Sequence, residues 1–337
     1  MKARIMRISF DTMHSEFVRV LKKHGFSDER AQLCARLFAE ASLDGVYSHG
    51  INRFPFFIDY IRRDIVRVNS EPELIGKSGS FERWDGNLGP GNLNAHHCMN
   101  RAIALAGEFG MGCVALKNTN HWMRGGTYGW QAAEANCLAI CFTNTLPNMP
   151  PWGGLDKKVG NNPLVIAVPR PNGHIVLDMA MSMFSYGKLD TYRKEHKQLP
   201  FPGGFDTNGR LSTDPDEIFS SGRLLPMGYW KGSGLAMMLD LFAAILSGGD
   251  PTPRLDHSGD EYGVSQVFIA WSIETVHAAS VAESITSEVV DFLHLAKPAE
   301  KGGEICYPGE RTIRNRQENL KNGIPVHEDV WEKILAL

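Results

Sequence analysis

His49 and Arg53 stand four residues apart in the stretch Tyr47-Ser48-His49-Gly50-Ile51-Asn52-Arg53. On a helix, that spacing puts both side chains on roughly one face. Imidazole can give a proton to a developing alkoxide near neutral pH. Guanidinium can grip a planar carboxylate through two parallel hydrogen bonds. Together they are the tools for reducing a small keto acid. Most such pairs are solvated surface or satisfied core, so the dyad needs support from the rest of the chain.

Three further clusters offer it. Asn120-His121-Trp122-Met123-Arg124-Gly125-Gly126 lies after a strand-like run and before a helical one, where α/β folds place ligands. His121 could bond a substrate oxygen or fix its own loop. Gly228-Tyr229-Trp230-Lys231-Gly232-Ser233-Gly234 runs into an apolar helix at 235–246. It either offers helix-end amides and Lys231 to a phosphate or simply turns a corner. Asp178 ends a strand-like run and could accept from ribose hydroxyls or cap a turn. The order G-x-x-x-x-G-K-[ST] is absent, which argues against nucleoside triphosphate chemistry. The nearest match to a dinucleotide turn, Gly110-Met-Gly112-Cys-Val-Ala115, follows a helix and opens a strand, so it reads as a helix stop.

A chain of 337 residues exceeds one usual core, and two lobes are expected. Net charge of −3 gives no basic footprint, so no nucleic-acid partner is expected. No apolar run approaches the length of a membrane span. The six cysteines lack paired CxxC spacing, which speaks against zinc and against a disulfide framework. A reducing cytoplasm fits them best.

The elements that must position these residues follow from periodicity. Phe10, Met13, Phe17 and Val20 predict a first helix, stopped at Gly25. Ser27-Asp28-Glu29 caps a second, ending at Gly45. A third begins near Gly50, with Ile51, Phe54, Ile58 and Ile61 as its stripe and Pro55 in its first turn. That start places His49 and Arg53 at a helix N-terminal region, where free amides favour an anion. Strands are expected at 81–84, 113–116, 138–143, 164–168, 175–179 and 266–272. Helices are expected at 94–109, 127–135, 233–246, 276–295 and 328–337. Residues 193–226, polar and turn-rich, read as a long exposed excursion, a lid or a contact arm. The fold class is α+β or mixed α/β. Residues 1–80 form a helical part joined in space by 285–337, and 81–284 form a mixed sheet core that carries the cofactor and substrate regions.

In order along the chain, Tyr-Ser-His-Gly-x-Asn-Arg (47–53), Asn-His (120–121), Asn-Pro (162–163), Asp-Met-Ala-x-Ser (178–182), Gly-Lys (187–188), Lys-Gly (231–232) and Pro-Gly-Glu (308–310) resemble the malate/L-lactate dehydrogenase family that lacks a Rossmann fold. The resemblance implies a non-Rossmann NAD(P)-binding domain built on a largely antiparallel sheet. It makes His49 the proton donor in a hydride transfer between nicotinamide and a small 2-keto or 2,3-diketo acid. NADH is expected ahead of NADPH. The cofactor would be held by His174, Ile175, Val176, Leu177, Asp178, Met179 and Ala180, by Trp230 and Lys231, and by Gly309, Glu310 and Arg311. Ser48, Arg53, Asn120 and His121 are the expected substrate contacts, with Arg53 on the carboxylate, and no metal is required. A homodimer is implied as well. Malate, lactate and ureidoglycolate dehydrogenases and imino-acid reductases share these motifs, and a non-enzymatic binding protein on the same scaffold is the remaining alternative.

Overall fold

Serine hydroxyls open the first two helices. Ser9 Oγ accepts from Thr12 N at 3.1 Å and Ser27 Oγ from Arg30 N at 3.5 Å, each meeting an amide that the helix itself leaves free. The computed structural model describes residues 5–255, 259–300 and 302–337. In chain order, β1 (Ile5–Ile8), α1 (Phe10–Lys23), α2 (Asp28–Leu43) and α3 (Phe54–Arg62) come first. They are followed by β2 (Glu73–Ser78), β3 (Phe81–Asp85), α4 (Gly91–Phe109) and β4 (Met111–Thr119). Next are α5 (Gly126–Glu134), β5 (Cys137–Thr143), β6 (Leu164–Val168), β7 (Ile175–Met179), α6 (Tyr186–Lys194), β8 (Gly204–Phe205) and β9 (Leu211–Ser212). The chain continues through α7 (Pro215–Ser221), α8 (Trp230–Ser247), β10 (Val264–Ser272), α9 (Ala279–His294), α10 (Glu310–Asn322), β11 (Ile324–His327) and α11 (Glu328–Leu335).

Seven strands form the main sheet in the order β2-β3-β4-β10-β5-β6-β7. β3 and β4 run parallel; the other neighbours are antiparallel. The central strand β10 shows why both faces are covered. Phe268 and Ala270 join an apolar cluster with α4 and α5, while Val267 packs with Leu239 and Ala243 of α8 on the opposite face. Successive side chains of a strand point to opposite faces, so each face takes its own helix layer. A third cluster joins Phe17, Phe38 and Phe54 to Val326, Trp331 and Ile334, which brings the two ends of the chain together. β1 pairs with β11 from Ile5↔His327 to Ile8↔Ile324.

Several expectations need correction. The third helix starts at Phe54, four residues later than periodicity suggested, and His49 closes a separate 3-10 turn, Tyr47–His49. The cause is tertiary. Gly50 is pressed against α2, where a Cβ would collide with Ser42 Oγ, and Ile51 N donates to that hydroxyl at 2.8 Å. The excursion at 193–226 is largely ordered structure, because Leu199, Ile218 and Leu224 are buried in the α8-side cluster. β2 lies inside the stretch expected to be helical and extends the main sheet. α8 begins at Trp230, so Lys231 sits in its first turn and Gly232 and Gly234 lie within the helix. β1 and α10 had no sequence expectation.

Candidate active site

The turn that carries His49 is set by its neighbours on both sides. Ser48 packs against Gly187 at the start of α6, where a Cβ would stand 2.6 Å from Ser48 Cβ. Ser48 Oγ lies 2.9 Å from His49 Nδ1, which engages that nitrogen and leaves Nε2 to exchange a proton. The His49 ring lies beside that of His121, with centroids 5.8 Å apart and planes 26° apart. His121 is oriented by its own loop: Met123 N donates to His121 Nδ1 at 2.9 Å. His121 thus fixes its own loop, and that bond holds its ring beside His49.

Burial sets the electrostatics. It pushes the His49 pKa down from 6.5 to about 4, with the Asp178 carboxylate pulling upward and the charges of Arg53 and Arg124 pushing down. His121 is held well below its ordinary value by burial, by Arg53 and by His49. Asp178 Oδ2 accepts from Gly126 N at 2.8 Å, so this carboxylate caps α5, the plainer of its two expected roles, while also acting on the ring of His49. Arg53 is half-buried at the N-terminal end of α3, its guanidinium 5.9 Å from the Phe56 ring centroid.

The three expected cofactor segments meet along β7, the last strand of the sheet. Val176 N donates to Pro308 O at 2.9 Å, and Gly309 (φ +97°) comes so close that a Cβ would stand 3.1 Å from Val176 N. Just past β7, Met227 N donates to Met181 O at 2.7 Å and lays the Tyr229-Trp230-Lys231 turn alongside. Tyr229 holds φ +61° and ψ −112°, a conformation costly for any residue with a Cβ. Trp230 is 65% exposed, and Lys231 Nζ lies 5.9 Å from its ring centroid. His174 is half-buried, its Nδ1 accepting from Arg170 N, and Arg311 is exposed on the first turn of α10.

Two of the expected contacts also hold the fold together. Asn120 is 1% exposed and its Nδ2 donates to the carbonyls of Ile65, Leu88 and Gly89, at 2.8 to 3.2 Å. Its amide nitrogen fastens three loops, while its Oδ1 is buried with no partner among the described residues. Glu310 also turns inward. It accepts from Tyr307 N, His294 Nε2 and Arg314 Nη2, so its carboxylate holds the α10 terminus in place.

Sequence reasoning missed three charged residues here. Arg124 is buried in a close ion pair with Asp44, and its Nε has no partner among the described residues. Asp44 also accepts from Arg316 Nη1 of α10 at 2.8 Å. Glu261 comes within 4.0 Å of His121. Arg124 lay inside a quoted motif and could have been flagged by its place among glycines. Asp44 and Glu261 carry no local signal.

The chain belongs to the malate/L-lactate dehydrogenase family, whose model matches residues 8–335. It is thereby one of a family of nicotinamide-dependent oxidoreductases. Over 333 residues it is 44% identical to the 2,3-diketo-L-gulonate reductase of Citrobacter koseri, a match covering 98% of this chain and 100% of that one. The 2,3-diketo-L-gulonate reductase of Salmonella paratyphi A is 42% identical over the same shares. The solved sulfolactate dehydrogenase from Methanocaldococcus jannaschii superposes with a TM-score of 0.90 at 29% identity, covering 98% of both chains.

Proposed function

We propose that this protein is a cytoplasmic, homodimeric, NADH-dependent reductase of a small keto acid, with 2,3-diketo-L-gulonate as its substrate. The observation that carries the reading is the half-buried imidazole of His49, placed between His121 and the charges of Asp178 and Arg53. Full-length identity of 44% to a reductase of that name supports the choice of substrate. The residues along β7 fit a nicotinamide cofactor. Ser182 Oγ is buried with no partner among the described residues, Gly309 clears room at the strand, and the exposed Trp230 beside Lys231 suits a flat, anionic ligand.

When bound, the reduced cofactor supplies the hydride that converts the ketone carbon to an alcohol. His49 then delivers the proton that the new alkoxide takes, and a positioned acid of this kind contributes roughly 10²–10⁴ in rate. Burial leaves the free ring neutral near pH 7, so the Asp178 carboxylate and the negative charge that develops on the substrate oxygen must together favour its protonated form. Arg53 anchors the substrate carboxylate, which fixes the carbonyl presented for reduction. His174, Ile175, Val176, Leu177, Met179 and Ala180 line the cofactor side, with the Gly309 backbone and Arg311 closing it. Ser48 holds the His49 ring.

The apolar outer face of α8, with Met237, Leu241, Phe242 and Ile245 exposed, supports self-association. No helix among the described residues is long and apolar enough to cross a membrane. The deciding experiment follows NADH and NADPH oxidation against 2,3-diketo-L-gulonate, oxaloacetate, pyruvate and a cyclic imino acid, with light scattering for the oligomeric state. Preference for diketogulonate with NADH is the expected result. Preference for another substrate would reassign the enzyme within the family, and no turnover with any of them would overturn the reading.

A further inference from the structure

Glu261 is a carboxylate that the chemistry above leaves unused. It precedes β10 with its side chain 13% exposed, beside His121 at 20%. Its Oε2 accepts from Leu146 N at 3.3 Å, and its own N–H donates to Tyr60 Oη at 3.3 Å. Its Oε1 lies 4.0 Å from His121 Nε2, beyond hydrogen-bond reach. Burial pushes the Glu261 carboxyl up, and the charge of Arg53 opposes that. A carboxylate held so far from water loses hydration that one long backbone hydrogen bond does not replace.

The tautomer of His121 defines what the pair can bind. Met123 N donates to Nδ1, so in the neutral ring Nδ1 is the acceptor and the proton sits on Nε2. Nε2–H is therefore a donor beside the acceptor Glu261 Oε1, and one group seated to the side of the 4.0 Å line between them can reach both at hydrogen-bond distance. A hydroxyl matches both, because it gives one hydrogen bond and accepts another. A methyl or methylene in the same place would satisfy neither group.

We propose that Glu261 Oε1 and His121 Nε2 form a hydroxyl-binding pair that selects keto acids bearing a hydroxyl beyond the reacting carbonyl. This rests on the keto-acid reductase reading. Arg53 takes one end of the substrate, the His49 side takes the carbonyl, and Glu261 with His121 takes the hydroxylated end. Glu261 is a specificity residue in this arrangement, with no part in proton transfer to the alkoxide.

The test compares pyruvate with hydroxypyruvate, which differ by one hydroxyl, in steady-state NADH oxidation by the full chain and by Glu261→Gln. Glutamine keeps an acceptor for Leu146 N but loses the charge. The wild-type chain should favour hydroxypyruvate. The variant should raise KM for hydroxypyruvate by about tenfold or more while KM for pyruvate stays within about twofold and kcat is retained for both. Equal KM shifts on the two substrates, or none, overturn the proposal. A wild-type chain that reduces pyruvate as well as hydroxypyruvate overturns it while leaving the reductase reading intact; one that reduces no keto acid removes both. Should Glu261→Gln fail a thermal-melt check for folding, Glu261→Asp, which withdraws the carboxylate by one methylene, is read in the same way.

Discussion

Asp178 draws a proton toward His49 while burial, Arg53 and Arg124 all oppose it. The carboxylate belongs to β7, and its own position is held by the Gly126 amide at 2.8 Å. The ring belongs to the turn after α2, so one electrostatic pair spans the sheet and the helical cluster.

Replacing His49 by glutamine removes the proton source and preserves polarity. We expect kcat to fall by at least about 10² with reduced-cofactor affinity close to that of the parent. Steady-state rates together with NADH fluorescence titration decide the point; turnover near the parent's would take this ring out of the chemistry.

Acid should weaken the fold through its histidines. The unfolded chain protonates them near 6.5, whereas burial holds His49 and His96 at about 4 and His121 well below its ordinary value. Their contribution is complete above pH 6.5 and is lost as pH falls from there toward about 4. Thermal melts across that window should show the drop, and His49→Gln should make it shallower. A melting temperature flat over the same range contradicts the sign argued here.

Arg53→Lys keeps the charge and loses the two-pronged grip. KM for the keto acid should rise roughly tenfold or more with kcat changed far less. An unaltered KM would assign the carboxylate to another residue.

Asp44→Asn leaves Arg124, buried, and Arg316 without their shared carboxylate. Removing one partner of a buried ion pair costs about 3–5 kcal/mol, and chemical denaturation should register a loss of that order. A change below about 1 kcal/mol would mean that the arginines find other partners or reach water.

Much of the framework was legible because it follows from periodicity and capping. β6 and β7 fall where their apolar runs end, and Ser27 and Gly110 mark helix boundaries as their chemistry demands. The helix start near Gly50 was misplaced because Ser42, eight residues earlier, redirects the backbone there. β1 was invisible because four residues carry little pattern and its partner strand lies more than 300 residues away. The site divided in the same way. His49 and His121 stood in recognisable motifs, but the loop-fastening role of Asn120 rests on three carbonyls distant in sequence. Glu261 and Asp44 matter only through residues distant in sequence, and no local spacing announces that.

The pairing of β1 with β11 makes the opening residues wait for the closing ones. During synthesis the N-terminal helices emerge long before Trp331 and Ile334 exist to cover their shared apolar surface. Until α11 is released, that surface stays open to chaperones or to mispairing. The turn bearing His49 should therefore be among the last parts of the molecule to settle.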